Sequence, residues 1–301
     1  MIPAAGVRIR WSDLPPHVHA AVAGILGAPI VAAHSQPGGF SPGTADRVVT
    51  ETGERAFVKA VSPDQNTLSV DMARAEAVVA AALPPGAPAP ELLGTHDDGH
   101  WIALVFADVA GRHPRTPWVE PELAAAARGL TELVRHLTPS PLPGLPQAGD
   151  RLADDLGGWR RIAADPPADL PPWLLPHLGE LRDRAAAVLR TLTGDTLVHA
   201  DVRADNMLIR PDGEVVLVDW PWGCNGPPWL DTALLAMNVL VHGGDPGTLR
   251  VPPAGEELII AFAGFFLDCA RDPAPPGLPT LRAFQRAQAD ALLPWMRPRL
   301  G

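Results

Sequence analysis

The sequence predicts an α+β protein of two lobes, in which a small N-terminal lobe of antiparallel strands with one helix precedes a larger, mainly helical lobe. Between residues 30 and 107, β-branched and apolar runs alternate with glycine-bearing turns. From about residue 120 onwards, alanine- and leucine-rich stretches recur at helical spacing. We therefore expect an N-terminal lobe at 1–107 and a C-terminal lobe at 108–301, with a ligand-binding cleft between them.

The N-terminal elements follow from turn residues and apolar runs. Residues 30–61 predict three antiparallel strands, with a glycine-rich turn near 36–43, a second turn at 51–54 and Lys59 at the end of the third strand. Residues 71–83 predict a helix, with Asp71 as its cap and Glu76 in its middle. Residues 91–109 predict two more strands joined by the turn "DDGH".

The second lobe is predicted to be helical with one short β interruption. The apolar spacing predicts helices over 120–138, 173–193, 229–242, 254–269 and 280–296. The interruption is "NMLIRPDGEVVLVDW" at 206–220, which predicts two strands joined by a Pro-Asp-Gly turn at 211–213.

Composition narrows the class of protein. The chain has 301 residues, 47% of them hydrophobic, and a net charge of −10. This balance argues against a nucleic-acid binder or an anionic-membrane binder and permits a cationic small-molecule substrate. Cys224 and Cys269 have no metal-ligand spacing, and neither a signal peptide nor a membrane span is recognisable, so the sequence predicts a soluble, cytoplasmic protein. It predicts no oligomeric state.

Lys59 is the only lysine among 24 cationic lysine and arginine residues. Arginine carries a broad planar fork, whereas lysine carries a compact ammonium group on a slim stem that can reach a phosphate from a buried strand. One unusual residue can also arise by chance under a strong preference for arginine. Lys59 is therefore a candidate phosphate ligand that needs support from the rest of the chain.

The most informative stretch is "LVHADVRADNMLIRPDGEVVLVDW" at 197–220, which arranges Asp201, Arg203, Asn206 and Asp219 around one hairpin. An antiparallel hairpin brings the start of its first strand beside the end of its second, so Asn206 and Asp219 should be neighbours. An amide oxygen beside a carboxylate is a hard-oxygen site that suits Mg²⁺ when phosphates supply further ligands. The hairpin therefore predicts a magnesium site.

The pattern His199-Ala-Asp201-x-x-x-x-Asn206 followed by Asp219 resembles the catalytic loop and metal-binding aspartate of the protein-kinase-like fold. Its form is more similar to the aminoglycoside phosphotransferase family, with choline-type and other small-molecule kinases, than to protein kinases. Asp219-Trp220-Pro221 replaces Asp-Phe-Gly, and no activation segment ending in Ala-Pro-Glu is present. The resemblance, which covers about 30–240, favours a small-molecule acceptor.

The resemblance implies roles for the residues of this stretch. Asp201 would orient the attacking hydroxyl or accept its proton, and Asn206 and Asp219 would hold magnesium. Arg203 would stabilise phosphoryl oxygens as the bond breaks. Asp231, at the start of a predicted helix, would brace the catalytic loop.

The same resemblance implies a nucleotide site in the N-terminal lobe, for ATP or GTP with Mg²⁺. Lys59 would contact the phosphates and pair with Glu76 on the next helix. Residues 36–48 occupy the position of a phosphate-covering loop but lack G-x-G-x-x-G, and residues 104–109 resemble the hinge that pairs with adenine. The further nucleotide-binding candidates are Gly39, Ser41, Phe106 and Val109.

The predicted function is transfer of the γ-phosphoryl group of ATP to a hydroxyl of a small molecule. The family suggests an antibiotic such as an aminoglycoside, which would make the chain a resistance or self-protection enzyme. Two alternatives remain open, namely a metabolic kinase for choline, homoserine or a sugar, and a catalytically silent nucleotide-binding protein.

Two groups of C-terminal residues bear on the acceptor. Carboxylates could hold a polycation, whereas aromatic side chains could line a broad apolar pocket or simply belong to the core. The carboxylates are Glu256, Glu257, Asp268 and Asp272, and the aromatic residues are Trp222, Trp229, Phe265, Phe266 and Trp295.

Overall fold

The computed structural model describes residues 8–37, 42–275 and 277–300. Its N-terminal part is a five-stranded antiparallel sheet with strand order β1-β2-β3-β5-β4. The strands lie where the apolar runs predict them, and the α+β fold class is confirmed. Their bounds are β1 Ile30–Ser35, β2 Thr44–Thr50, β3 Arg55–Val61, β4 Leu92–Asp97 and β5 Ile102–Ala107.

Helix α2, Thr67–Ala82, covers one face of this sheet and begins earlier than predicted. Its N-cap is Asn66, whose Oδ1 accepts a hydrogen bond from the backbone N–H of Ser69 at 2.9 Å. The prediction of Asp71 as the cap is therefore wrong, since Asp71 lies inside the helix. Glu76 lies in the body of α2 as predicted, and its side chain is buried.

Helix α1, Pro16–Leu26, covers the other face of the sheet and was not predicted. Its residues Val18 and Val22 are fully buried in a cluster with side chains of β2, β3 and β5. A signal for this helix exists in the sequence, because a proline at the first helical position and a glycine just past the end are typical of helix boundaries. Gly27 ends α1 with a φ of 72°, a left-handed conformation that glycine adopts without strain.

The rest of the chain is mainly helical, as predicted. The predicted stretch 173–193 begins as a 3-10 helix, Pro172–His177, and becomes α-helical only after Pro176, which has no backbone N–H to donate. The helices are α3 Glu120–His136, α4 Ala148–Arg151, α5 Gly158–Ala164, α6 Leu178–Leu189, α7 Leu230–Val241, α8 Pro253–Cys269 and α9 Leu281–Met296.

Helix α8 lies at the centre of the helical part and packs closely on α5. Gly264 allows this approach, because a Cβ at that position would lie 2.5 Å from Cδ1 of Trp159. Trp159 is fully buried, and its Nε1 donates a hydrogen bond to the carbonyl oxygen of Ile260 at 2.7 Å. The main hydrophobic core is built around these contacts.

Two short antiparallel pairs carry the catalytic-loop sequence. The predicted hairpin is present as β7 Met207–Ile209 and β8 Val215–Leu217, with Gly213 in the turn at a φ of 84°. A second pair, β6 Thr196–Val198 and β9 Cys224–Gly226, was not predicted. Residues 199–206 connect β6 to β7, and residues 218–223 connect β8 to β9. Asp219, in the second connection, contacts Lys59 of β3.

In the part of the chain that the structure covers, the helices are too short or too polar to cross a membrane.

Candidate active site

Lys59 joins the N-terminal sheet to the catalytic-loop region. In β3 it lies between Ala45 of β2 and Leu104 of β5, and its Nζ is 2.7 Å and 2.9 Å from the two carboxylate oxygens of Glu76 on α2. The same ammonium donates to Oδ1 of Asp219 at 2.6 Å. The structure thus brings together three of the predicted site residues.

Mutual neutralisation explains the charges of this cluster. Burial alone would lower the pKa of Lys59, but Asp219 and Glu76 outweigh it and raise that pKa, so the ammonium stays charged. Asp219 also lies partly out of water, yet Lys59 and Arg203 hold its pKa below the ordinary value. Burial raises the pKa of Glu76, and the charge of Lys59 opposes that rise.

The chain around Asp219 has a strained conformation that aims its carboxylate at Lys59. Asp219 has a φ of 71°, in the left-handed region that non-glycine residues seldom adopt. The backbone N–H of Trp220 donates to Oε1 of Glu76 at 3.3 Å. The Glu76 carboxylate therefore accepts hydrogen bonds from Lys59 and from the backbone of Trp220. These bonds fix α2 relative to the catalytic-loop region.

Asp231, in the first turn of α7, braces the start of the catalytic loop. Its two carboxylate oxygens accept hydrogen bonds from the backbone N–H groups of His199 at 2.8 Å and Ala200 at 2.9 Å. Ala200 has a φ of 62°, so a strained backbone is held by two buried hydrogen bonds. The contact agrees with the bracing role that the family resemblance implies.

His199 is a fully buried part of the loop's framework. One neutral tautomer satisfies both of its ring nitrogens, because Nε2 donates to the carbonyl oxygen of Val218 at 3.0 Å while Nδ1 accepts from the backbone N–H of Asp201 at 3.2 Å. Burial lowers its pKa, which favours this neutral form. Its ring packs edge-on against Trp220, with centroids 4.6 Å apart.

Asp201 and Asn206 are direct neighbours. Asn206 Nδ2 donates to the backbone oxygen of Asp201 and to its Oδ2, each at 2.9 Å. Burial raises the pKa of Asp201 to about 6, with Arg203 acting against the rise and Asp219 adding to it. A carboxyl group with this pKa is mostly ionised at neutral pH and can still take up a proton.

Arg203 is held beside Asp201 by a second carboxylate. Its guanidinium donates to both oxygens of Asp205, at 3.0 Å and 2.8 Å, and lies 3.6 Å from Oδ1 of Asp201. It also lies 5.8 Å from the centre of the Phe284 ring on α9. Arg203 therefore has a fixed position next to Asp201.

Asn206 and Asp219 carry the donor atoms that the predicted magnesium site needs. The backbone N–H of Val218 donates to the carbonyl oxygen of Asn206 at 3.0 Å, so Asn206 lies beside the residue that precedes Asp219. Both donations of Nδ2 to Asp201 direct the amide oxygen of Asn206 away from that carboxylate. An amide oxygen and the half-exposed carboxylate of Asp219 are hard-oxygen donors of the type that Mg²⁺ takes.

A sequence profile decides the family of this chain. The profile of the phosphotransferase enzyme family matches residues 37–263, which is most of the sequence. The chain belongs to this family. It is a phosphotransferase with an alcohol group as acceptor, as the sequence predicted. No curated protein matches the sequence significantly.

Solved structures share the fold of this phosphotransferase. An aminoglycoside phosphotransferase from Alicyclobacillus acidocaldarius is 18% identical, with a TM-score of 0.52, and the match covers 96% of this chain and 97% of that one. A thermostable aminoglycoside phosphotransferase APH(4)-Ia in complex with ADP and hygromycin B is 14% identical, with coverages of 94% and 96% and a TM-score of 0.56. The choline kinase LicA from Streptococcus pneumoniae is 12% identical, with coverages of 91% and 98% and a TM-score of 0.58. The predicted protein-kinase-like fold is confirmed.

The predicted hinge of the phosphotransferase is anchored to the sheet by two arginines. Arg55 donates a hydrogen bond to Oδ2 of Asp108 at 2.9 Å, and Nε of Arg47 forms an ion pair with Oδ1 of Asp108 at 3.1 Å. Arg47 also donates to the carbonyl oxygen of Val109 at 3.1 Å. Phe106 is buried in β5, with its ring centre 5.8 Å from Nζ of Lys59. Adenine contacts by Phe106 and Val109 stay predictions.

Of the predicted phosphate-covering loop at 36–48, the structure describes residues 36–37 and 42–48. The predicted nucleotide ligands Gly39 and Ser41 lie outside the described residues. Within this loop, Gly43 passes close to β3, since a Cβ there would lie 2.3 Å from the carbonyl oxygen of Ala60. Glycine is required at position 43 for that reason.

Arg8 is a candidate residue that the sequence analysis missed. Burial lowers the pKa of its guanidinium, and the negative charges of Asp219 and Asp46 act in the opposite direction. The adjacent Ile9 donates its backbone N–H to the carbonyl oxygen of Pro42 at 3.4 Å. Arg8 therefore adds positive charge near Asp219 from a segment that has no recognisable motif.

The C-terminal carboxylates and aromatic residues that were candidates for acceptor binding already have partners within the chain. Each of the four carboxylates lies within 4.0 Å of an arginine, and the five aromatic side chains pack in or against the main core. The carboxylate pairs are Glu256 with Arg299, Glu257 with Arg184, Asp268 with Arg161 and Arg271, and Asp272 with Arg282.

Proposed function

We propose that this enzyme moves the γ-phosphoryl group of ATP, with Mg²⁺, to a hydroxyl of a small molecule that belongs to the antibiotics. The observation that carries this proposal is the double contact of Lys59 with Glu76 and Asp219. It brings a cation that would bind phosphate, its anchor on α2 and a carboxylate that would bind the metal into direct contact. We assign the nucleotide to residues 1–107 and the acceptor to residues 108–301.

Lys59 is positioned to bind phosphate rather than to exchange protons. Its raised pKa keeps the ammonium charged at neutral pH. Glu76 holds the side chain in place, so the ammonium needs no reorganisation when a phosphate arrives. Arg8 supplies further positive charge close to Asp219 and is a candidate contact for the same phosphates.

Asp201 orients the acceptor hydroxyl and takes its proton. As the hydroxyl oxygen bonds to the γ-phosphorus, the bond from that phosphorus to the oxygen bridging to the β-phosphate breaks, and ADP leaves. The hydroxyl proton passes to a carboxylate oxygen of Asp201, whose pKa of about 6 allows it to hold the proton briefly. Arg203, fixed by Asp205, faces the reacting oxygens with a permanent positive charge.

Asn206 and Asp219 would hold the magnesium ion. Magnesium held by these residues would supply positive charge to neutralise the nucleotide's phosphates. The residues of the chain contribute position and charge, which are the main requirements of phosphoryl transfer. The braced loop at His199 and Asp231 keeps the position of Asp201 constant relative to this pair.

The names of the structural relatives support an antibiotic as acceptor, and the ion pairs of the C-terminal carboxylates narrow the charge that this acceptor would carry. Two of the three structural relatives described above are aminoglycoside phosphotransferases, one of them in complex with hygromycin B. The four C-terminal carboxylates offered as a polycation site are already neutralised by arginine. This pairing favours an antibiotic acceptor with few positive charges over a strongly cationic one.

A metabolic small-molecule kinase is the second candidate. The similarity to a choline kinase, at a TM-score of 0.58, supports it as well as the similarity to the aminoglycoside enzymes supports the first. Both candidates share the chemistry of Asp201 and differ only in the acceptor.

Mass spectrometry of an acceptor panel tests the proposal. The untagged protein is incubated with Mg²⁺ and ATP or GTP and with aminoglycosides, macrolides, nucleoside antibiotics, choline, homoserine and simple sugars, and each product is scored for the gain of one phosphoryl group. An Asp201→Asn protein serves as the control for contaminating kinases.

The proposal predicts a phosphorylated antibiotic that forms with wild type and not with the control. A phosphorylated choline, homoserine or sugar would replace the antibiotic class by the metabolic one. Nucleotide binding without any product across the panel would contradict both candidates and favour a catalytically silent protein.

A further inference from the structure

A cluster of two imidazoles and a carboxylate lies on the N-terminal lobe, in elements separate from the catalytic residues. His17 is the second residue of α1, His96 is in β4, and Asp98 is in the turn that joins β4 to β5. One ligand atom from each side chain can be chosen so that all three lie within 4.8 Å of one another. Three elements of the fold therefore converge on one point.

The spacing of these atoms matches a tetrahedral metal site. Oδ2 of Asp98 lies 3.0 Å from Nε2 of His17 and 3.5 Å from Nε2 of His96. Two ligands that each lie about 2.0–2.1 Å from a zinc ion, at a tetrahedral angle, are about 3.3–3.4 Å apart. Small side-chain movements would bring all three atoms to bonding distance from one ion.

Asp98 is already oriented for such a role. Its Oδ1 accepts hydrogen bonds from the backbone N–H groups of His100 at 2.9 Å and Trp101 at 2.7 Å, and this leaves Oδ2 directed at the two imidazoles. These backbone bonds, with the nearby histidines, lower the pKa of Asp98 to about 2, so the group is an anion at neutral pH. The turn thus presents a charged oxygen in a fixed direction.

His96 supplies a second sign of an incomplete site. Its Nε2 is shielded from solvent and makes no hydrogen bond to any residue within 8–37, 42–275 or 277–300. A buried polar atom without a hydrogen bond is unfavourable unless a ligand or water meets it. Its neighbours His17 and Asp98 are more exposed, so a bound ion would be reached from solvent on that side.

We propose that His17, His96 and Asp98 bind one Zn²⁺ ion, with water in the fourth position. Two imidazoles and one carboxylate suit zinc better than magnesium, because zinc binds histidine nitrogen well whereas magnesium takes oxygen ligands. The ion would clamp the start of α1 to the β4–β5 turn. This site differs from the pair Asn206 and Asp219 in its donors and in its place in the fold.

Isothermal titration of zinc chloride into the full-length, untagged protein tests this inference, in phosphate-free buffer and without nucleotide. The variants His17→Ala and Asp98→Asn each remove one ligand. Asp98→Asn keeps an oxygen that can accept the two backbone hydrogen bonds, so the turn should stay folded. His100→Ala is the matched control, because His100 belongs to the same turn but is absent from the cluster.

We expect one zinc ion per chain for wild type and for His100→Ala, and at least about tenfold weaker binding in each ligand variant. Thermal unfolding should show a higher Tm with zinc in wild type and no such rise in the ligand variants. A wild type that binds no zinc, or a weakening of less than about tenfold in either ligand variant, would overturn the proposal. Equal weakening in His100→Ala would also overturn it.

Discussion

Lys59 Nζ lies 2.6 Å from Oδ1 of Asp219, although 160 positions of sequence separate the two residues. This contact joins the strand that carries the only lysine of the chain to the hairpin that carries the predicted magnesium ligands. Glu76 completes the contact, since it binds the lysine and the backbone N–H that follows Asp219. The enzyme's two lobes therefore meet through three charged residues.

Replacing Lys59 separates its catalytic role from its structural one. Lys59→Met leaves Glu76 buried without its partner and should lower the free energy of unfolding by about 3 kcal/mol. The double variant Lys59→Met with Glu76→Gln removes that uncompensated charge and should recover most of the stability. Both variants should lose at least about 100-fold in kcat/KM, because no cation replaces the ammonium.

Urea unfolding and steady-state kinetics measure the two effects. If the double variant recovered activity along with stability, the phosphate-binding role of Lys59 would be wrong.

Low pH should reduce the rate of phosphoryl transfer, because it protonates Asp201. The carboxylate must be ionised to accept a proton, and its pKa is about 6 in the free enzyme. We expect kcat/KM to fall about tenfold per pH unit below that value and to be level between pH 7 and 8. A pH profile with saturating Mg²⁺ measures it, with circular dichroism at each pH to show that the fold persists. A flat profile down to pH 5 would contradict the role of Asp201.

The same raised pKa predicts that Asp201 costs stability. A carboxyl group whose pKa is higher folded than unfolded binds more protons in the folded state, so the free energy of unfolding falls as pH rises through the window from about 4 to 6. Asp201→Asn removes this ionisation and should be more stable than wild type at pH 8, by roughly 1–3 kcal/mol. Its advantage should vanish near pH 4.

Urea titrations of both proteins at the two pH values test this. An Asp201→Asn protein that is less stable than wild type at pH 8 would refute the electrostatic account of the site.

Asp231 should be needed for the shape of the loop. Asp231→Ala leaves the buried N–H groups of His199 and Ala200 without acceptors, at a cost of roughly 2–4 kcal/mol in unfolding free energy. The exposed Asp165 provides the control, since Asp165→Ala should change stability by less than about 0.5 kcal/mol. Chemical denaturation of both variants decides between a bracing role and a dispensable one.

The sequence predicted those parts of the site that share a local pattern. Spacing within one hairpin was enough to expect Asn206 near Asp219, and the family resemblance was enough to expect the contact of Lys59 with Glu76. Arg8 was missed because its contribution depends on a long-range approach to Asp219 that leaves no local trace. The cap of α2 was misplaced by five residues because Asp71 and Asn66 are both good capping residues. The earlier start places Val70 in the helix, where it is buried against side chains of β5.

Helix α1 shows the same limit for the fold. Its short sequence begins at the second of two consecutive prolines, Pro15 and Pro16, and such a pair is also typical of a loop when it is considered alone. Burial of Val18 and Val22 on the sheet stabilises it, and that surface exists only after β2, β3 and β5 have paired. The acceptor could not be predicted, because the sequence does not show whether a carboxylate is paired with an arginine or whether an aromatic side chain lies in the core or in a pocket.

The most direct test of the account compares wild type with Asp201→Asn on one acceptor identified by the panel. Product formation is followed by mass spectrometry with Mg²⁺ and ATP, and nucleotide affinity is measured on the same two proteins by calorimetry. The account predicts at least about a 100-fold lower rate for the variant, with nucleotide Kd within about threefold of wild type. A variant that transfers phosphate at nearly the wild-type rate would contradict the assignment of Asp201, and with it the proposed mechanism.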